Sequence, residues 1–210
     1  MSRRRPGPEG EPPVEGEVVT PRPSASLLLL RGGDATLEVL LVRRTPKARF
    51  MGGFWVFPGG AVEPGDRAAA DDDDGAHRAA AVRELAEEAA VEGVDPASLV
   101  GFSRWVTPAT SGIRFDTRFY LGEAPDGAQP RVDGEECVYV GWFAPGAALD
   151  AFDRGDLPLV LPTLKHFEAI LEFGSAADLM AASQGRDLAP IRPQVIDGRI
   201  VLPGEPGYVD

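Results

Sequence analysis

One long helical signal, from residue 75 to about 91, stands between β-like segments on both of its sides, and few architectures accept that order. Ahead of it, residues 24–31 carry the run Leu27-Leu28-Leu29-Leu30, and residues 37–43 resume a β-like pattern after the turn Gly32-Gly33-Asp34. These two read as a hairpin. Residues 54–57 read as a short strand stopped by Pro58-Gly59-Gly60. Behind the helix, residues 99–106, 114–121 and Cys137–Phe143 are β-like, residues 162–173 and 176–183 are helical, and residues 194–202 form a strand pair turning at Asp197-Gly198. Strands around one helix, with helices near the end, predict an α+β fold: an α/β/α sandwich around a mixed β-sheet.

The expected organisation is a flexible tail over residues 1–23, a catalytic-size domain over 24–185, and an extension over 186–210 that packs on the domain or on a partner subunit. The tail is rich in Pro, Gly and Glu and cannot repay the entropy of ordering. Monomer and homodimer both stay open. Arg3-Arg4-Arg5-Pro6 lacks a following apolar stretch, so an export signal is not expected. No segment reaches the roughly eighteen continuous apolar residues of a membrane span. The single cysteine, Cys137, excludes an internal disulfide and fits a reducing cytoplasm.

Charge narrows the partners. With 33 acidic and 21 basic side chains the net charge is −12, a field that repels a nucleic-acid backbone. A polymeric nucleic acid is therefore excluded as a partner. A small anionic substrate fits only where a cation or a local basic cluster reverses the potential at the site.

On a wheel of about 100° per residue, Val82, Leu85, Ala86 and Ala89 gather on one side of the helix, and Glu84, Glu87 and Glu88 on the other. The apolar side is expected to dock on the sheet and the acidic side to stay exposed. Carboxylates at i, i+3 and i+4 repel one another, and the dipole of the second half of a helix opposes them too. Oxygen ligands in this number suit Mg²⁺ or Mn²⁺. An isolated Glu-x-x-Glu-Glu is more often a solvated face, so the surrounding residues have to decide.

Those residues do. The stretch Phe57-Pro58-Gly59-Gly60-Ala61-Val62-Glu63-Pro64-Gly65-Asp66, followed by Arg83-Glu84-Leu85-Ala86-Glu87-Glu88-Ala89-Ala90-Val91, resembles the Nudix box, G-x5-E-x7-R-E-U-x-E-E-x-G-U with U aliphatic. Asp66 stands where the pattern has Glu, and Ala90 where it has Gly. An insertion of about nine residues, around Ala68 to Asp74, is expected to fall before the helix and leave its ligands in register.

The resemblance implies a Nudix fold and a hydrolase. It assigns Glu84, Glu87 and Glu88, with the backbone carbonyl of Gly59 or Gly60, to Mg²⁺ or Mn²⁺. Arg83 and Asp66 become a structural pair that orients the Gly60 loop. Glu84 and Glu136 are candidate general bases, with Glu135 a third. Glu136 is equally a further metal ligand or a solvated loop carboxylate. Arg43, Arg44 and Arg49 are candidate phosphate-binding residues, set against the reading of a solvated connection. Trp105, Phe115 and Tyr120 are stacking candidates or core residues. His77, His166 and Cys137 receive no role.

Further residues, Leu41-Val42-Arg43-Arg44-Thr45-Pro46, Trp105-Val106-Thr107-Pro108 and Arg114 to Tyr120, resemble the coenzyme A and acyl-CoA diphosphatase branch of that family. That implies a small substrate linked to a nucleoside diphosphate. Its rivals are ADP-ribose, dinucleotides and oxidised nucleotides. A reading of a different class, a catalytically inactive ligand-binding regulatory module, would be marked by loss of the metal carboxylates, and all of them are present.

Overall fold

A computed structural model of the chain describes residues 18–32, 36–132 and 134–209. Residues 1–17, which hold most of the expected tail, and the Gly33-Asp34 part of the first turn lie outside the described residues. The first strand, β1, runs Arg22–Arg31, so it begins two residues before the expected start of the domain.

Alternation along β1 explains the leucine run. Ala25, Leu27 and Leu29 enter one apolar core and Leu28 and Leu30 enter another, because successive side chains on a strand point to opposite faces. A sheet buried on both faces needs such continuous apolar strands. The helix α2, Asp73–Ala89, covers the first core with Ala80, Ala81, Leu85 and Ala89. Helices α3, Pro145–Arg154, α4, Leu161–Ile170, and α5, Ala176–Ala182, cover the second. The result is the expected α/β/α sandwich.

Strand β2, Glu38–Arg44, pairs antiparallel with β1 only at Leu30↔Val39 and Arg31↔Glu38. Beyond that point the two separate. Strand β3, Trp55–Val56, continues along β2, and β4, Gly59–Ala61, continues along β1 at Ser24↔Ala61, Ala25↔Gly60 and Ser26↔Gly59. Strand β5, Val100–Val106, pairs antiparallel with β6, Phe115–Glu123, and β6 lies parallel to β1 over its whole length. Strand β7, Cys137–Phe143, flanks β2. Near the C-terminus β8, Pro190–Ile191, extends the sheet next to β5, and β9, Gln194–Ile196, and β10, Arg199–Val201, form a hairpin. No helix among the described residues is long and apolar enough to cross a membrane.

Two local expectations change. Pro58-Gly59-Gly60 does end β3, but Gly59 and Gly60 go on to form a strand of their own, β4, where a Cβ on Gly59 would sit 2.5 Å from the Ala25 carbonyl oxygen of β1. Close pairing of two backbones needs glycine there. The insertion does not end before the helix: Asp73 and Asp74 form the first turn of α2, while the short helix α1, Pro64–Ala68, precedes them.

Candidate active site

α2 is fixed at both ends. The Asp72 carboxylate accepts from the Gly75 N–H at 2.7 Å, a side-chain cap on donors that have no helical partner. At the other end Ala90 adopts φ 53° and ψ 35°, and its N–H reaches the Ala86 carbonyl. The helix therefore leaves in the left-handed conformation for which the resembled box pattern has Gly.

The acidic face is not uniformly exposed, which corrects the wheel. Glu87 is 57% exposed, Glu84 14% and Glu88 only 4%. Ala80 and Ala81 are buried, and Ala81 lies seven positions before Glu88, nearly in line with it along the helix, so the packed face turns toward the glutamates. Small alanines let α2 lie against β1 and β4. Glu88 accepts from the Gly59 N–H at 3.0 Å and from Arg44 Nη1 at 3.3 Å. Glu84 lies against Gly60 so closely that any Cβ on Gly60 would collide with its carboxylate.

Arg83 ties the box together. Its Nε and Nη2 donate to the two oxygens of Asp66 at 3.1 Å each, and Nη2 also donates to the Ala61 carbonyl at 3.0 Å. Nη1 donates to Glu84 and Glu87, both at 2.9 Å. Asp66 is buried and also accepts from the Glu63 N–H at 2.8 Å. The shorter acid still makes a two-point contact, because α1 carries it to the guanidinium. These contacts hold the Arg83 pKa above its ordinary value, the Asp66 hydrogen bond most of all.

Burial pushes the Glu88 carboxyl up to about 7; the Gly59 N–H, Arg44 and Cys137 oppose the shift and Glu84 adds to it. Burial also raises the Glu84 carboxyl, Arg83 opposes, and Glu87 and Glu136 add to the rise. Four negative groups thus feel one another across a small region.

Glu84, Glu88 and Glu136 line a cleft of about 520 Å³, together with Arg44, Gly59 and Gly60. Arg22, Trp105, Phe115 and Phe119 line it too, as do residues of the C-terminal hairpin. Among the described residues no three His, Cys, Asp or Glu side chains converge as a ready-made metal cage. The donor chemistry nevertheless fits Mg²⁺, which keeps several waters and shares one or two carboxylates with phosphate oxygens. Carboxylates pushed toward neutrality by burial and by each other regain a favourable charged state beside such a cation.

The basic candidates divide. Arg44 lines the cleft, and its Nε is buried with no hydrogen-bond partner among the described residues. Arg43 instead donates to the Gly53 carbonyl at 3.0 Å and lies over the Tyr139 ring, while Arg49 is exposed, and neither lines the cleft. Of the aromatic candidates, Trp105 and Phe115 line the cleft, whereas Tyr120 is fully buried and donates to Asp74 at 2.8 Å. Arg22 was not anticipated, since it stood at the end of a tail-like segment; nor were Pro193, Val195 and Ile200. Nothing in their local sequence marks them.

A mixed sheet sandwiched by helices, with a glycine strand and a glutamate helix meeting at one cleft, defines an α/β/α protein with a carboxylate-lined cleft. The chain belongs to the Nudix family, whose domain model matches residues 20–162, and is a Nudix hydrolase. Putative nudix hydrolase 7 of Caenorhabditis elegans is 27% identical over 237 residues, spanning 93% of this chain and 77% of that protein. A NUDIX hydrolase from Alicyclobacillus acidocaldarius superposes with a TM-score of 0.71 at 28% identity, covering 81% of this chain and 100% of the other. A MutT NUDIX hydrolase from Burkholderia pseudomallei, at 24% identity and a TM-score of 0.51 over 71% of this chain and 98% of its own, supports the fold alone.

Proposed function

We propose that this hydrolase cleaves the diphosphate bond of a nucleotide-linked metabolite, with coenzyme A or an acyl-CoA as substrate and 3′,5′-ADP and a phosphopantetheine as products. The observation that carries the reading is that Glu84 and Glu88 meet Gly59 and Gly60 at one end of a cleft whose remaining wall is largely apolar. The proposed ligands for Mg²⁺ or Mn²⁺ are Glu84, Glu87 and Glu88, with the backbone carbonyl of Gly59 or Gly60. A bound divalent ion would supply charge neutralisation at the diphosphate and a more acidic water.

The chain's own groups do the rest. Arg83 holds Glu84 in place and, through Asp66 and Ala61, the loop that follows Gly60. Arg44 balances Glu88 and lines the cleft, where its cationic side chain counters the net negative field at a phosphate group. Glu84 is the proposed base: it is mostly buried, its carboxyl is raised, and it borders the glycine strand. Glu136, exposed at the same cleft, is the second candidate.

Turnover of coenzyme A, an acyl-CoA, ADP-ribose, NADH and 8-oxo-dGTP with Mg²⁺ and with Mn²⁺, ranked by kcat/KM, tests the substrate. CoA compounds are expected first, and a ranking that places them last overturns that part. Glu84→Gln, Glu87→Gln and Glu88→Gln are each expected to lower turnover by orders of magnitude. Unchanged metal-dependent turnover in Glu87→Gln and Glu88→Gln would reject the ligand assignment.

A further inference from the structure

Beyond residue 162, where the match to the family model ends, one piece of chain returns to the cleft. β8 lies parallel to β5 at Arg104↔Pro190 and Trp105↔Ile191, which delivers the chain to the β9–β10 hairpin. Pro193, Val195 and Ile200 then line the same cleft as Glu84 and Glu88. The hairpin is anchored rather than loose. Ile200 and Leu202 pack on the larger core, the Val209 N–H donates to the Gln194 side chain at 3.1 Å, and the Tyr208 hydroxyl donates to the Arg192 carbonyl at 3.0 Å.

The hairpin therefore gives the cleft a fixed apolar wall. Trp105, Val106 and Phe115 line it as well. Such a wall beside the carboxylates favours a substrate that carries an apolar group next to its diphosphate.

We infer that the β9–β10 hairpin is the specificity wall of this hydrolase, holding an extended apolar substituent on the diphosphate against Val195 and Ile200. The inference rests on the diphosphate lying at Glu84 and Glu88, as proposed above. It also says that residues outside the matched segment decide which diphosphate is accepted.

The test uses the full chain and two synthetic probes sharing one ADP group: the methyl ester and the n-octyl ester. Each is measured as kcat/KM with Mg²⁺ and, independently of turnover, as affinity in EDTA by calorimetry. The wild type is expected to favour octyl over methyl by about tenfold or more in both, given what a few buried methylenes contribute. Val195→Asp and Ile200→Asp are expected to collapse that ratio toward unity. Where an Asp variant loses the native near-UV spectrum, Val195→Ser or Ile200→Ser takes its place.

A wild-type ratio near unity, or wall variants that retain the preference, overturns the inference. Octyl preference in EDTA without Mg²⁺-dependent turnover of any ester would sink the proposed reaction and leave the wall standing. Glutamate-dependent turnover with no octyl preference would do the reverse.

Discussion

Ala90 closes α2 with φ 53°, a conformation an L side chain with a Cβ adopts at a penalty and glycine adopts freely. Ala90→Gly is expected to stabilise the protein by about 1 kcal/mol, because relief of the strain outweighs the added freedom of the unfolded chain. For a chain of this size that is a rise in Tm of about 2–4 °C, read by calorimetry; an unchanged or lower Tm would show the strain to be absorbed elsewhere. Glu87 makes the opposite kind of case. It is mostly exposed and its ion pair with Arg83 is screened, so Glu87→Gln is expected to leave stability within about 0.5 kcal/mol while turnover falls. Loss of both together would make its role one of folding. The Arg83–Asp66 pair was legible from the box pattern, whereas the left-handed exit was not, because Ala90 stands where the pattern has the glycine that would announce it. The burial of Glu88 was not, because a wheel weighted by Val82 and Leu85 undervalues Ala80 and Ala81, whose small side chains decide how closely α2 approaches the sheet.

Elements show the same division. The hairpin of β1 and β2, the strands β5 to β7 and the helices α2, α4 and α5 were readable to within a few residues, since each buries a face with its own period. The short α1 and β8 were missed, since their formation depends on what they pack against more than on a local pattern; the ten-residue α3 was missed although Pro145 at its start, Gly155 at its end and one apolar face mark it locally. The acidic insertion illustrates how far local chemistry goes. Its four aspartates have four different surroundings. Asp72 caps α2, Asp73 pairs with Arg67 and Arg118, Asp74 accepts from Arg78 and from the buried Tyr120 hydroxyl, and Asp71 is exposed and makes no such contact among the described residues. Asp72→Ala is therefore expected to lower stability by about 1 kcal/mol, and Asp71→Ala by less than about 0.5 kcal/mol. Urea denaturation of the two variants side by side measures the difference, and equal losses would mean that the run acts through charge alone.

Across the whole molecule, the parallel pairing of β1 with β6 and the return of the C-terminal hairpin join segments far apart in sequence, and no local pattern announces them. His166 shows what such long-range assembly does to a single group. It projects from α4 into the core, where Ser103 of β5 lies 2.6 Å from its Nε2 and the rings of Phe57, Phe102, Trp105 and Phe119 surround it. Burial, with a smaller contribution from the Arg186 charge, pushes its pKa down from 6.5 to about 3. The folded protein thus keeps His166 neutral across a range in which the unfolded chain binds a proton. A depressed folded pKa on a base means that stability is fully present above pH 6.5 and declines as pH falls toward 3. Between pH 6.5 and pH 5, before most carboxylates titrate, this one group is expected to remove about 1.5 kcal/mol. His166→Gln lacks the proton and should flatten the wild-type decline by that amount, whatever its absolute stability. Urea unfolding of both proteins at several pH values in that window measures the two slopes, and parallel slopes would mean that the histidine is protonated in the native core or that the core admits water to it.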